Sequence, residues 1–224
     1  MRPATRPLLL GHRGARATAS VPENTLASFD LCLQQGCDGF EFDVRGTADG
    51  AAVVCHDADF RGLGLSETAS SDLVFWQEQG FLPELGEVLR RYGPLCFLDI
   101  EIKVAGIEAR VLELLRLYPP RRGFVVTSFL PEVLAQIRTL DATIELGFLW
   151  DQATDVWRDI AVSWTLPELD LMDAELASSL RAAGKRIGVW TVNRPGDMIR
   201  AADLGAEILI ADDTVGLVNA FPVG

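Results

Sequence analysis

Gly39-Phe40-Glu41-Phe42-Asp43-Val44 alternates strictly between apolar and acidic side chains. In an extended strand successive side chains point to opposite faces, so Phe40, Phe42 and Val44 share one side while Glu41 and Asp43 share the other. A second stretch, Leu98-Asp99-Ile100-Glu101-Ile102-Lys103, repeats the pattern with Asp99, Glu101 and Lys103 on one face. The apolar faces call for helices packed against them, and the acidic faces then point into the interior of a barrel. Two plainer readings compete: an exposed edge strand with a solvated acidic face for the first stretch, and an internal Glu101 to Lys103 ion pair for the second.

On either side of these stretches, short apolar runs at 8–10, 39–44, 95–102, 124–127, 144–149, 166–169, 187–192 and 208–210 complete a set that reads as eight strands. Segments of helical period lie between them at 24–35, 85–92, 107–117, 132–140, 173–183 and 195–204, with 213–220 last and 151–163 the weakest link. Repeated strand-helix alternation in one chain predicts a compact (β/α)8 barrel, with a doubly wound parallel sheet as the alternative. Only a short insertion follows the second strand, at 51–82, with a short strand at 51–55 and an irregular loop. The 224 residues suit a single domain spanning 1–224.

The composition, 49% apolar and 23% charged, supplies a core and excludes disorder. A net charge of −12 opposes binding to nucleic acid or to an anionic membrane surface, so neither is expected as a partner. No run approaches the ~18 to 20 apolar residues of a membrane span. Arginines at positions 2 and 6 ahead of Leu8-Leu9-Leu10 imitate a signal peptide, but Gly11-His12-Arg13 ends the apolar run too early. Cys32, Cys37, Cys55 and Cys96 lack metal-binding spacing and read as buried thiols, which predicts a reducing, cytoplasmic setting.

The chemistry gathers at strand ends. The two histidines, in Gly11-His12-Arg13-Gly14 and His56-Asp57, each follow an apolar run closely, where barrels place catalytic groups. Burying Glu41 beside Asp43 is unfavourable unless a cation neutralises them, which points to a divalent metal held by oxygen ligands, with Glu101 as a candidate third. Zinc is disfavoured, because neither thiolates nor clustered imidazoles are on offer. Lys103 lies one pleat nearer the barrel mouth, where its ammonium meets a bound anion. In so acidic a chain Arg13, Lys103 and a metal are the local cations that an anionic substrate requires. Pro22-Glu23-Asn24-Thr25 is first a helix start capped by Asn24 or Thr25, and Glu23 is a further candidate for touching substrate or orienting His12. Trp190 either fills the core or, at the end of the seventh strand, walls a pocket.

In this order Gly11-His12-Arg13-Gly14, Pro22-Glu23-Asn24-Thr25, Glu41-Phe42-Asp43-Val44 with Thr47, Asp49 and Gly50, His56-Asp57, Glu101-Ile102-Lys103 and Val189-Trp190-Thr191-Val192-Asn193 resemble the glycerophosphodiester phosphodiesterase family. The resemblance runs over almost the whole chain. It implies a TIM barrel, one divalent cation (magnesium, calcium or manganese), and hydrolysis of a small anionic glycerophosphodiester to glycerol 3-phosphate and an alcohol. It further implies Glu41, Asp43 and Glu101 as metal ligands, His12 and His56 as the proton-transfer pair, Arg13 and Lys103 as phosphate contacts, and Trp190 as a wall for the glycerol end.

Three stretches depart from the family pattern: Ala58-Asp59-Phe60-Arg61-Gly62-Leu63-Gly64 after His56-Asp57, Pro83-Glu84-Leu85-Gly86-Glu87 before the third strand, and Ala211-Asp212 in place of a late Thr-Asp step. They leave the implied catalytic set intact but alter the loop expected around the leaving alcohol. The nucleophile is either water or the substrate's neighbouring hydroxyl, the latter giving a cyclic phosphate first, and a phosphodiester lyase that stops at the cyclic phosphate is the alternative enzyme. A catalytically silent phosphodiester-binding barrel is the alternative of another class.

Overall fold

The computed structural model describes residues 6–222. The basic stretch ahead of Leu8 therefore lies mostly outside the described residues. In chain order the strands are β1 (Leu8–His12), β2 (Gly39–Gly46), β3 (Ala52–Val54), β4 (Asp59–Phe60), β5 (Leu63–Gly64), β6 (Phe97–Ile102), β7 (Phe124–Ser128), β8 (Leu146–Trp150), β9 (Trp164–Pro167), β10 (Arg186–Val189) and β11 (Ile208–Ala211). The helices are α1 (Leu26–Gln34), α2 (Val74–Glu78), α3 (Leu85–Tyr92), α4 (Glu108–Leu117), α5 (Pro131–Leu140), α6 (Ala174–Ala182), α7 (Pro195–Asp203) and α8 (Thr214–Ala220). Strands β1, β2, β6, β7, β8, β9, β10 and β11 pair in parallel around a ring that the β1 to β2 ladder closes. The expected (β/α)8 barrel is thus the observed fold, and β3 adds to β2 as an antiparallel edge.

Alternation along β2 and β6 sorts side chains as the sequence requires. Phe40, Phe42, Val44, Leu98, Ile100 and Ile102 are buried between barrel and helices. Phe29 of α1 stacks on Phe40 with ring centroids 4.1 Å apart, and Tyr92 of α3 meets Phe40 edge-on at 5.1 Å. The inner faces of the other strands form a separate apolar plug of Leu10, Val125, Leu149, Trp164, Leu166, Ile208 and Ile210. That plug fills part of the barrel and leaves the acidic layer of β2 and β6 to one side.

The observed elements depart from the expected ones in a few places. Between β8 and β9 there is no α-helix, only a 3-10 turn at Val156–Arg158. The buried indole of Trp157, with Val162 beside it, fills the space that a helix face would occupy. Strand β9 begins two residues earlier than expected and ends at Pro167, whose ring removes the N–H that would continue the ladder. Strand β10 stops at Val189, so Trp190 stands just past the strand end. The insertion at 51–82 folds into β3, the β4 to β5 hairpin, two 3-10 turns and α2 over a small core of Val53, Cys55, Leu65, Leu73 and Leu82. All four cysteines are buried free thiols.

Candidate active site

Parallel register assembles the site. His12 pairs with Glu41, Glu41 with Asp99, and Asp43 with Glu101, so three neighbouring strands deliver five polar side chains to one end of the barrel. Just past β1, Arg13 takes a positive φ of 54° and Gly14 one of 85°. A Cβ at Gly14 would lie 2.4 Å from Ser28 Oγ, so glycine is required there. This tight turn brings the Arg13 amide onto Glu41 Oε2 at 3.0 Å, its guanidinium Nε within 3.2 Å of Asp43 Oδ2, and its Nη1 onto Glu23 at 2.7 Å.

Glu41, Asp43 and Glu101 each offer a carboxylate oxygen within 4.8 Å of the others, and all three are buried. Asp99 lies beneath them and accepts a hydrogen bond from Thr127 at 2.6 Å. Burial, together with Asp43, Glu101 and Asp99, drives the Glu41 carboxyl well above its ordinary range. Burial likewise pushes Glu101 and Asp99 up to about 7, against the opposing pull of Lys103 on Glu101 and of Thr127 on Asp99. The ammonium of Lys103 sits 2.6 Å from Glu101 and 3.5 Å from Asp43. Burial alone would lower its pKa, but these carboxylates hold it above the ordinary lysine value.

The expected Glu101 to Lys103 ion pair is therefore present, yet it does not balance the cluster. Two cations, Arg13 and Lys103, face four carboxylates; Glu41 Oε1 is buried with no hydrogen-bond partner, and Asp43 Oδ1, also without a hydrogen bond, has the Lys103 ammonium 3.5 Å away. Unpaired buried carboxylate oxygens are strongly disfavoured unless a further positive charge meets them. The donor set is entirely hard oxygen, which suits calcium or magnesium and fits a divalent cation held by Glu41, Asp43 and Glu101.

The two histidines face this cluster from different elements. Together with Arg13, Glu41, Glu101, Lys103, Phe129, Leu149, Asp151, Trp190 and Ile210 they line a cleft of about 360 Å³ at the C-terminal end of the strands. Trp190 donates its indole N–H to Leu166 O at 2.8 Å and meets Phe129 edge-on at 5.4 Å, which fixes its ring as an apolar wall. His56 Nδ1 lies 2.8 Å from Asp57 Oδ1. His12 Nδ1 lies 2.7 Å from Asp212 Oδ1, while its Nε2 is 3.9 Å from Glu41 Oε2.

Asp212 is a residue that the sequence pattern passes over as a departure. Burial alone would raise its carboxyl, but the bonds from His12 and Asn193 and the charge of Arg16 hold it well below the usual range. An ionised carboxylate only accepts, so His12 carries its proton on Nδ1 and presents Nε2 to the cleft. Asn193 fixes Asp212 in turn, donating to Oδ2 at 2.8 Å and accepting from its amide at 2.8 Å. The signal was an acid directly after the last strand. Glu23, the expected candidate for orienting His12, does not touch it: its carboxylate bridges Arg13 at 2.7 Å and Arg16 at 2.6 Å. Thr25 rather than Asn24 caps α1. Asn24 instead donates to Asp43 Oδ2 at 2.8 Å, and its positive φ of 56° serves that bond.

The chain matches the glycerophosphoryl diester phosphodiesterase family over residues 12–79 and 98–215. It is 28% identical over 237 residues to the glycerophosphodiester phosphodiesterase of Caldanaerobacter subterraneus subsp. tengcongensis, covering 95% of this chain and 96% of that protein. Among solved structures it is similar to an Oleispira antarctica phosphodiesterase in complex with the product sn-glycerol-3-phosphate, with a TM-score of 0.82, 25% identity and 96% of each chain covered. It also superposes on the glycerophosphodiester phosphodiesterase of Thermotoga maritima with a TM-score of 0.82 at 24% identity, covering 97% of this chain and 99% of that one.

Proposed function

The chain belongs to the glycerophosphoryl diester phosphodiesterase family, and on that premise we propose how its cleft acts. It is a phosphoric diester hydrolase that splits glycerophosphodiesters into glycerol 3-phosphate and an alcohol, the product carried by the Oleispira relative. In the proposed assignment Glu41, Asp43 and Glu101 hold one divalent cation, magnesium, calcium or manganese. His12 and His56 move the protons, Arg13 and Lys103 contact the phosphate, and Trp190 walls the glycerol end. The observation that carries the assignment is the convergence on one cleft of two histidines, two cations and the carboxylates of Glu41 and Glu101, with Asp43 buried in the same carboxylate cluster.

A phosphodiester monoanion repels nucleophiles, and its alkoxide leaves poorly. When bound, a divalent cation supplies positive charge to the non-bridging oxygens. The guanidinium of Arg13 and the ammonium of Lys103 act on the same oxygens and strengthen as charge builds in the transition state. His12, its Nδ1 proton committed to Asp212, presents a basic Nε2 that takes a proton from the nucleophile. His56, on the insertion side, gives a proton to the departing alcohol. The indole of Trp190 and the ring of Phe129 exclude water from one flank.

We place the substrate among small deacylated diesters, as a step in the breakdown of lipid-derived head groups. A cytoplasmic location is supported by the four unpaired thiols. Among the described residues no helix is long and apolar enough to cross a membrane. The test is a release assay on glycerophosphocholine, glycerophosphoethanolamine and glycerophosphoglycerol, with and without EDTA, followed by phosphorus NMR. Turnover abolished by chelator and restored by magnesium, calcium or manganese is expected. Chelator-resistant turnover by metal-stripped enzyme overturns the three-carboxylate assignment. A cyclic phosphate appearing before glycerol 3-phosphate identifies the substrate hydroxyl, rather than water, as nucleophile.

A further inference from the structure

Arg45 follows Glu41 and Asp43 on the same face of β2. It lies beyond the last pair that β2 makes with β6, Val44 to Ile102, at a position where β2 pairs only with the antiparallel β3. From there its Nε donates to the main-chain carbonyl of His56 at 2.7 Å.

That bond matters because of where His56 sits. The β3 strand ends at Val54, and His56 belongs to no strand or helix. The main-chain bonds that flank it are Cys55 N to Asp43 O at 3.0 Å and Leu65 N to Ala58 O at 2.9 Å. Among the described residues, the bond from Arg45 is the one hydrogen bond that the His56 main chain makes. The imidazole is held by Asp57, but that side chain is 79% exposed and rides on the same loop. Asp57 therefore orients the ring within the loop without tying the loop to the barrel.

We propose that Arg45 is a positioning residue for His56: its guanidinium fastens the loop bearing the proton donor to the strand that bears Glu41 and Asp43. One strand then sets the depth of the acidic layer and of the imidazole together. The same cation is a second support for the ring. The Asp57 carboxyl is held below its ordinary value, first by its bond to His56 and further by the charges of Arg13 and Arg45, so it stays an acceptor for Nδ1. The Nε2 of His56 is left for the leaving oxygen. This inference rests on the proposed role of His56 as the acid.

Arg45 and His56 are both only partly buried, so water can take the place of the guanidinium in the variants. Arg45→Met and Arg45→Lys are compared with the unaltered enzyme on glycerophosphocholine and on the p-nitrophenyl diester of glycerol 3-phosphate. Displacing a reacting group by about 1 Å can cost roughly 10²-fold. Arg45→Met is expected to lower kcat for glycerophosphocholine by roughly 10- to 100-fold, with KM little changed and the p-nitrophenyl diester far less affected. Arg45→Lys, which keeps a donor on a flexible stem, restores part of the loss.

The chain has two histidines, so its proton NMR spectrum carries two imidazole Cε1–H signals. Arg45→Met is expected to shift or broaden the His56 signal and to leave that of His12 in place. An unmoved His56 signal overturns the proposal, as does an equal loss on both substrates. If instead His56 is not the acid, His56→Ala fails to distinguish the two leaving groups, while the NMR signal still shows whether Arg45 fixes the ring.

Discussion

The two histidines differ in what they are tied to, and that difference makes their roles separable. His12 is locked at the end of β1 by Asp212, beside the Arg13 amide and Glu41, whereas His56 rides on the insertion loop. A general acid contributes roughly 10² to 10⁴ in rate, and its value falls as the leaving group becomes able to depart unprotonated. His56→Ala should thus cripple cleavage of glycerophosphocholine but spare the p-nitrophenyl diester, while His12→Ala should harm both alike. The double ratio of kcat/KM decides, and rescue of His12→Ala by the good leaving group reverses the roles. Asp212→Asn keeps the shape of the side chain but removes the charge that fixes the imidazole tautomer. Loss of such an orienting group typically costs roughly 10- to 100-fold, and here the loss should fall on kcat with KM nearly unchanged. Asp212 was not legible as a partner of His12, because the two lie 200 positions apart and only barrel closure joins β1 to β11. The faces of Glu41, Asp43, Asp99 and Glu101 were legible, because a period of two fixes them wherever the strand goes.

At the scale of elements, the legible parts were those whose periodicity is enforced by burial on one side. Strands β2 and β6 appear where alternation placed them, and α3 spans Leu85–Tyr92 as its apolar spacing predicts. The stretch at 151–163 was weak for a physical reason. Its one large buried side chain, Trp157, caps the barrel flank from a 3-10 turn, and a single anchor imposes no period. The contact of α1 with β2 has a measurable consequence. Phe29 is wholly buried against Phe40, Phe42 and Tyr92, and truncating such a ring typically costs about 3–5 kcal/mol. Phe29→Ala is expected to lower the unfolding free energy by that amount, read in urea unfolding as a lower midpoint with the slope unchanged. Because Phe29 lies on the outer face of the barrel wall, kcat per folded molecule should remain near that of the unaltered enzyme. A collapse of kcat in a folded Phe29→Ala would mean that the outer layer sets the geometry of the acidic layer.

Across the whole molecule, a net charge of −12 opposes approach to an anionic bilayer surface and favours small soluble diesters over bilayer lipid. Faster cleavage of vesicle phospholipid than of glycerophosphocholine would contradict this. The same acidity makes stability depend on pH in a direction that the buried cluster dictates. In the folded protein without bound cation Glu41 stays protonated well above its ordinary range, and Glu101 and Asp99 do so up to about 7. In the unfolded chain these groups release their protons near pH 4. Between about pH 4 and 7 the folded state therefore binds more protons than the unfolded state, and stability must fall as pH rises through that window. Asp212 acts with the opposite sign, but its depressed carboxyl has added its full stabilisation by about pH 5 and does not mask the decline. Each unit of raised pKa is worth about 1.4 kcal/mol, so the fall should amount to several kcal/mol. Urea midpoints of chelated protein at about pH 5 and about pH 7.5 test the sign, and Glu101→Gln should flatten part of the slope. Added calcium or magnesium binds the ionised carboxylates of the folded state alone, so it should raise the midpoint more at the higher pH. A midpoint that is flat or rising in chelator would mean that Arg13 and Lys103 already balance the carboxylates, which would remove the electrostatic reason for a divalent cation at this site.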